Sequence, residues 1–177
     1  LDYVYGADEE EETALQSFSA FLGASSEELG RHTDISVLID YYAFSLMTGN
    51  IDAFSDLYWV SSDGTVWYPV PNNTEHTYGS RYGTVALGET DALPETTPVF
   101  ENFFSAYSAA VSKRITELKR GRLSPEKVYE EFTTAVSKLD ADVYREDCVL
   151  NNVPFREPQK EVEKLSEWYR ERLAVLR

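Results

Sequence analysis

The stretch from Asp34 to Met47 reads Asp-Ile-Ser-Val-Leu-Ile-Asp-Tyr-Tyr-Ala-Phe-Ser-Leu-Met and is apolar on nearly every face of a helical wheel. A helix without a wide polar side has to be buried, so whatever this chain folds into must wrap other elements around these residues. The boundaries are marked. Thr33 or Asp34 offers a side-chain oxygen to the first free backbone N–H groups, and Thr48-Gly49-Asn50 supplies residue types that end helices. About four turns of core helix result, with Tyr42 and Phe44 read as core residues within it.

Other elements can be placed around this one in chain order. Leu1 to Ala7, anchored by Leu1, Tyr3 and Tyr5, reads as an extended arm. The run Asp8-Glu9-Glu10-Glu11-Glu12 stands before Thr13 to Leu22, where Leu15, Phe18, Phe21 and Leu22 mark one helical face. Negative charge there complements the positive end of the helix dipole, so the run is read as helix-stabilising and not as a cation site. Ile51, Phe54, Leu57 and Tyr58 predict a second short helix. Then the period changes. Trp59-Val60-Ser61 and Thr65-Val66-Trp67-Tyr68 flank Ser62-Asp63-Gly64, and β-formers around Asp-Gly predict a hairpin because Gly takes positive φ without steric cost. Pro69 and Pro71 end its second strand, since neither can donate to a ladder. Asn72 to Gly79 is a polar loop, Arg81 to Leu87 a third strand, and Gly88 to Pro98 an exposed linker.

The second half is helical throughout. Phe100, Phe103, Phe104, Tyr107, Val111, Ile115 and Leu118 form one stripe of a helix over Val99 to Arg120, with Lys119 and Arg120 at the end that favours cations. Ser124-Pro125-Glu126 opens an antiparallel partner, Asp140 to Glu157 reads as irregular, and a last helix runs from Pro158 to Arg177. The prediction is a single α+β domain, mainly α. Five or six helices surround the buried helix 34–47, with a small antiparallel hairpin or meander at about 59–87, a mixed half over 1–97 and a helical half over 98–177.

Two resemblances bear on architecture. Tyr41-Tyr42, Thr48-Gly49-Asn50-Ile51-Asp52-Ala53-Phe54 and Leu57-Tyr58 before Val66-Trp67 resemble the opening of the cone-shaped family typified by nuclear transport factor 2 and small polyketide cyclases. That resemblance implies a long curved antiparallel sheet with Val99 to Arg120 lying across it. Ile115 to Leu139, with Gly121-Arg122-Leu123-Ser124-Pro125-Glu126 between two amphipathic helices, is similar to the C-terminal helix pair of solute-binding proteins for sugar transporters.

Charge narrows the choice of partners. The formal net charge of −15 sits entirely in residues 1–100, where 8 Asp and 9 Glu face only Arg31 and Arg81. Such a surface repels phosphate backbones and anionic headgroups, which argues against nucleic-acid and peripheral membrane binding and for a protein partner with a basic surface. No run of about 18 apolar residues is present to span a bilayer. Cys148, the single cysteine, precludes an internal disulfide and reads as a small apolar residue. Opening on Leu1 instead of Met fits either a trimmed chain or a mature exported or organelle-lumen chain after leader removal, and leaves the compartment open. Asn72-Asn73-Thr74 matches a glycosylation sequon.

Catalytic signatures are missing from the sequence. It has no Gly-rich phosphate loop, no G-x-S-x-G elbow and no Asp-x-Asp-x-Asp-Gly calcium loop, and His32 and His76 have no partner at metal-ligand spacing. No catalytic residue, metal or cofactor is assigned on this basis. Asp52 and Asp56, at i, i+4, form one carboxylate pair suited to acid/base work among many pairs expected by chance. Aromatic density is the anomaly, with ten of the chain's 24 aromatic residues lying between Tyr41 and Tyr82. Because neighbours on a strand face opposite sides, Trp67 and Tyr68 cannot both point inward. Trp59, Trp67, Tyr68, Tyr78 and Tyr82, with Asp63 and Asn72 nearby, are therefore the candidate binding residues, beside the plainer reading that these rings pack the core. The leading expectation is a non-enzymatic accessory protein that meets a partner protein. The alternative is a small neutral polar ligand such as a sugar, whose apolar face stacks on rings.

Overall fold

The computed structural model describes residues 8–72, 74–81, 84–85, 93–94 and 96–176. The predicted arm over Leu1 to Ala7, most of the linker 88–98 and the end of the third strand lie outside them. Helix α1 spans Asp8–Leu22, so the acidic run forms its first turns instead of preceding it. A 3-10 turn at Leu29–Arg31 leads into α2, Ile35–Thr48. The start and stop of α2 are chemical. Asp34 accepts a bond from the Ser36 N–H, and Gly49, at φ 65°, closes the helix in the left-handed region that favours glycine.

Leu38, Tyr41, Tyr42, Ala43 and Leu46 to Thr48 are buried, as the sequence requires of a central helix. Phe44 is not core: it is 38% exposed, because Ser36, Asp40 and Phe44 form an i, i+4 row on the exposed side of α2. The main partner of α2 is α3, Pro98–Arg120. Tyr42 lies against Phe100, Phe103 and Phe104, while Arg114 donates from Nε and Nη2 to the two carboxylate oxygens of Asp40. Helix α4, Pro125–Val136, packs on α6, Pro158–Val175, and Tyr169 of α6 donates its hydroxyl to the Leu123 carbonyl at 2.8 Å.

Between α4 and α6 the expected irregular segment is in fact a helix, α5, Ala141–Leu150. Asp140 caps it, accepting from the N–H groups of Asp142 and Val143. Of its apolar side chains Cys148 is buried, but Val149 is 76% and Leu150 84% exposed, which removes the continuous buried stripe by which sequence reveals a helix.

Strand is sparse. Residues 51–55 form turns in place of the predicted short helix, and Leu57 and Tyr58 belong to β1, Leu57–Val60. It pairs antiparallel with β2, Tyr68–Pro71, in the register Leu57↔Pro71, Tyr58↔Val70, Trp59↔Pro69, Val60↔Tyr68. Pro71 is the last residue of β2, as the sequence predicts, whereas Pro69 lies inside the strand instead of ending it. They fit because they occupy alternate positions: the pairs Tyr58↔Val70 and Val60↔Tyr68 carry the ladder bonds, and the proline nitrogens face away from β1. A separate ladder joins β3, Ser80–Arg81, to β4, Thr84–Val85, so no three-stranded meander forms among the described residues. Nor do the described residues contain the long curved sheet implied by the cone-shaped resemblance. The fold is α+β and mainly α, with six α-helices among the described residues and small antiparallel ladders. Among the described residues, no helix is long and apolar enough to cross a membrane.

Candidate functional site

The β1–β2 ribbon and the loop that follows it carry the aromatic segment picked out by sequence. Its hairpin connection spans seven residues, 61–67, and is organised by Asp63. The Asp63 carboxylate accepts from the N–H groups of Thr65 and Val66 and from the Ser61 hydroxyl, and those bonds hold its pKa down to about 2. Asp63 is therefore an anchor of the turn.

The nominated rings divide into two environments. Trp67, 9% exposed, packs on Phe18 with centroids 4.7 Å apart and donates its indole N–H to Ser17. Trp59, half-buried, meets Phe21 at 4.7 Å and Phe100 at 5.7 Å. Tyr78 sits against Phe132, Tyr169 and Trp168, and burial pushes its phenol up to about 12. Tyr82 lies outside the described residues. Tyr68 faces solvent, and so does Tyr58, the most exposed ring of the segment among the described residues, which sequence had assigned to the lost short helix. By the register, Tyr58, Val60, Tyr68 and Val70 share one face of the ribbon, and all four are exposed.

Behind the ribbon, a polar cluster joins the turn after α2 to the loop after β2. Asn50, buried, accepts the Asp52 N–H on its side-chain oxygen and so shapes the turn. Asp52 Oδ2 lies 2.8 Å from His76 Nδ1, and Asn72 donates its amide to Asp56 Oδ1 at 2.8 Å. His76 Nε2 stands 3.7 Å from Glu75. The Tyr78 N–H donates to the Thr48 carbonyl at 2.6 Å, which ties the loop to the end of α2. Tyr41 donates to the Ala53 carbonyl from below, and burial raises its phenol to about 12.

Asp52 and Asp56, paired in sequence, are thus each engaged by a residue of the returning loop. Asn72 acts as a tether of that loop here, through the side-chain nitrogen a sequon would use. At 17% exposure for the His76 side chain and 32% for that of Asp52, the pair is lodged in the surface yet reachable. A carboxylate held by an imidazole through one oxygen still has lone pairs to accept from a further proton donor, as acid/base work requires.

Comparison with known proteins adds one finding. Residues 3–176 match the family described as CotH, CotH kinase protein. The chain belongs to the CotH kinase protein family. No curated protein and no solved structure matches it. For this CotH-family chain, the match takes in both the polar cluster and the aromatic ribbon.

Proposed function

We propose that this CotH-family chain takes part in phosphoryl transfer to a hydroxyl acceptor, with Asp52, oriented by His76, receiving the hydroxyl proton. The 2.8 Å contact between Asp52 and His76, inside a chain whose family description names a kinase, carries this reading. As the acceptor oxygen bonds to phosphorus, the bond from phosphorus to the nucleoside diphosphate leaving group breaks, the hydroxyl proton passes to Asp52, and the imidazole keeps that carboxylate aimed. Kinase chemistry implies a nucleoside triphosphate and a divalent cation. Among the described residues, however, no group of three or more His, Cys, Asp or Glu side chains is placed to hold a metal ion. The described residues do not fit that cation by themselves, and no step is routed through it.

The test is incubation of the chain with γ-labelled nucleoside triphosphate, magnesium or manganese, and hydroxyl-bearing protein acceptors, alongside Asp52→Asn. Transfer that the variant loses by about 100-fold or more supports the assignment. Transfer equal in both, or no transfer with any acceptor, overturns it.

A second reading is partner binding without catalysis, favoured by the exposed face Tyr58, Val60, Tyr68 and Val70 on the acidic half of the chain. Under it, a cationic protein surface approaches by charge and is held by these rings, so association weakens as salt rises. Binding of a Lys/Arg-rich peptide that is lost in Tyr58→Ser/Tyr68→Ser supports this reading, and unchanged binding in that double variant removes it. A neutral polar ligand on the same ribbon face stacks on Tyr58 and Tyr68, because Trp67 and Tyr78 are turned inward.

A further inference from the structure

Asp52 and His76 stand on two backbone segments that both abut one ring. Trp168 of α6 is 2% exposed and lies between Gly49, three residues before Asp52, and Gly79, three residues after His76. A Cβ built on Gly49 would fall 2.4 Å from Trp168 Cη2, and one built on Gly79 would fall 2.4 Å from Nε1. The six-membered edge of the indole therefore backs onto the turn and the five-membered edge onto the loop. Both glycines hold positive φ, 65° and 71°, so each lets its backbone close against the ring in a conformation that side chains resist.

One bond closes the same gap and a second seats α6 on α2. Tyr78 donates its N–H to the Thr48 carbonyl at 2.6 Å, and Arg172, one turn beyond Trp168, donates Nε to the Leu46 carbonyl at 2.8 Å. The indole N–H finds no acceptor among the described residues. An apolar ring would fill an ordinary core position without leaving a buried donor unpaired, so the width of the indole, not its hydrogen bond, is what this place requires.

We infer that Trp168 is the positioning residue of the Asp52–His76 pair, a spacer from the C-terminal helix that fixes the distance between turn 49–56 and loop 72–80. The inference rests on the assignment of that pair as the functional site. It is tested by NMR of the imidazole N–H correlations of the chain's two histidines, assigned with His76→Asn. Asp52→Asn supplies the signature of the imidazole without the Asp52 carboxylate. Trp168→Phe narrows the spacer, and Gly79→Ala drives a Cβ into its five-membered edge.

Each variant is expected to move the His76 signals toward their Asp52→Asn positions while His32 and the helical circular dichroism stay put. His76 signals left at wild-type positions in folded Trp168→Phe and Gly79→Ala make Trp168 an ordinary core residue. Unfolding of both counts against the inference as well, since a spacer acting on the pair tolerates Phe. If one unfolds, the other decides. Where phosphoryl transfer is found, Trp168→Phe lowers kcat on the order of 100-fold with KM held, as expected for a reacting group displaced by about 1 Å. Moved His76 signals without any transfer overturn the proposed function and keep the spacer. Transfer that survives Trp168→Phe with His76 unmoved does the reverse.

Discussion

Phe100→Ala probes the core that holds the ribbon in place. Phe100 is 1% exposed, and its ring lies 4.4 Å from Phe54, 5.7 Å from Trp59, 6.0 Å from Tyr41 and 6.2 Å from Tyr42. It therefore joins α3 to α2, to the turn after α2 and to β1 at once. Truncating a buried Phe to Ala costs about 3–5 kcal/mol, from lost transfer free energy plus the cavity left behind. Four ring neighbours place this site in the upper half of that range, because each aromatic pair adds roughly 0.5–1.5 kcal/mol beyond its buried area. A loss of about 4 kcal/mol is a large part of the roughly 5–15 kcal/mol that keeps a domain folded. With a urea slope of about 2–3 kcal/mol/M, it lowers the midpoint by about 1.3–2 M.

The assay is urea unfolding followed by tryptophan emission, which senses Trp59 directly, with circular dichroism as the second probe. Phe44→Ala, at the exposed row of α2, is the control and should cost about 1 kcal/mol or less. A Phe100→Ala midpoint within about 0.5 M of wild type, or equal to that of Phe44→Ala, refutes the assignment of Phe100 as the hub of the core.

Three further outcomes follow from the geometry. Asp140→Ala removes the acceptor for two N–H groups at the start of α5 and should raise amide exchange over 141–150 about fivefold, leaving 35–48 unchanged; equal exchange in both proteins removes Asp140 as the cap. Burial raises the phenols of Tyr41 and Tyr78 to about 12 and raises that of Tyr169 as well, so their stabilising contribution is whole below about pH 10 and is lost as pH climbs through about 12. The urea midpoint should then fall over that interval together with late tyrosinate absorbance, and a flat midpoint contradicts the burial of these rings. Acrylamide should quench mainly Trp59, since Trp67 and Trp168 are buried, so Trp59→Phe abolishes most of the quenchable emission. Saccharides titrated against the same emission leave it unshifted unless the ribbon takes that class of ligand.

Legibility in the sequence depended on how local the cause was. The ends of α2 were readable because an Asp that accepts an N–H and a Gly that takes positive φ act within their own turn. Helix α5 had a start signal in Asp140 but no continuous buried stripe, so propensity alone could not raise it above an irregular segment. Asp63-Gly64 correctly marked a reversal. The turn is nevertheless wider than a two-residue hairpin, because Asp63 gathers the N–H groups of Thr65 and Val66 and because Trp67 is drawn onto Phe18. In the polar cluster, Asp52 and Asp56 were visible as a pair. Their partners were not: Asn72 and His76 return from 16 and 24 residues away, and what brings them back is the fit of two glycines to Trp168, which no short window contains.

Pro69 and Pro71 also govern how this surface behaves in a crowded solution. An exposed strand is normally a template onto which a second copy can add by its amide groups, and an apolar face nearby makes such growth more favourable. Along the outer rim of β2 the alternate positions that should donate are pyrrolidine nitrogens, which have no hydrogen to give. Edge-on recruitment is therefore blocked on that side while Tyr58, Val60, Tyr68 and Val70 stay open to face-on contact, and the two prolines act as gatekeepers against fibre growth.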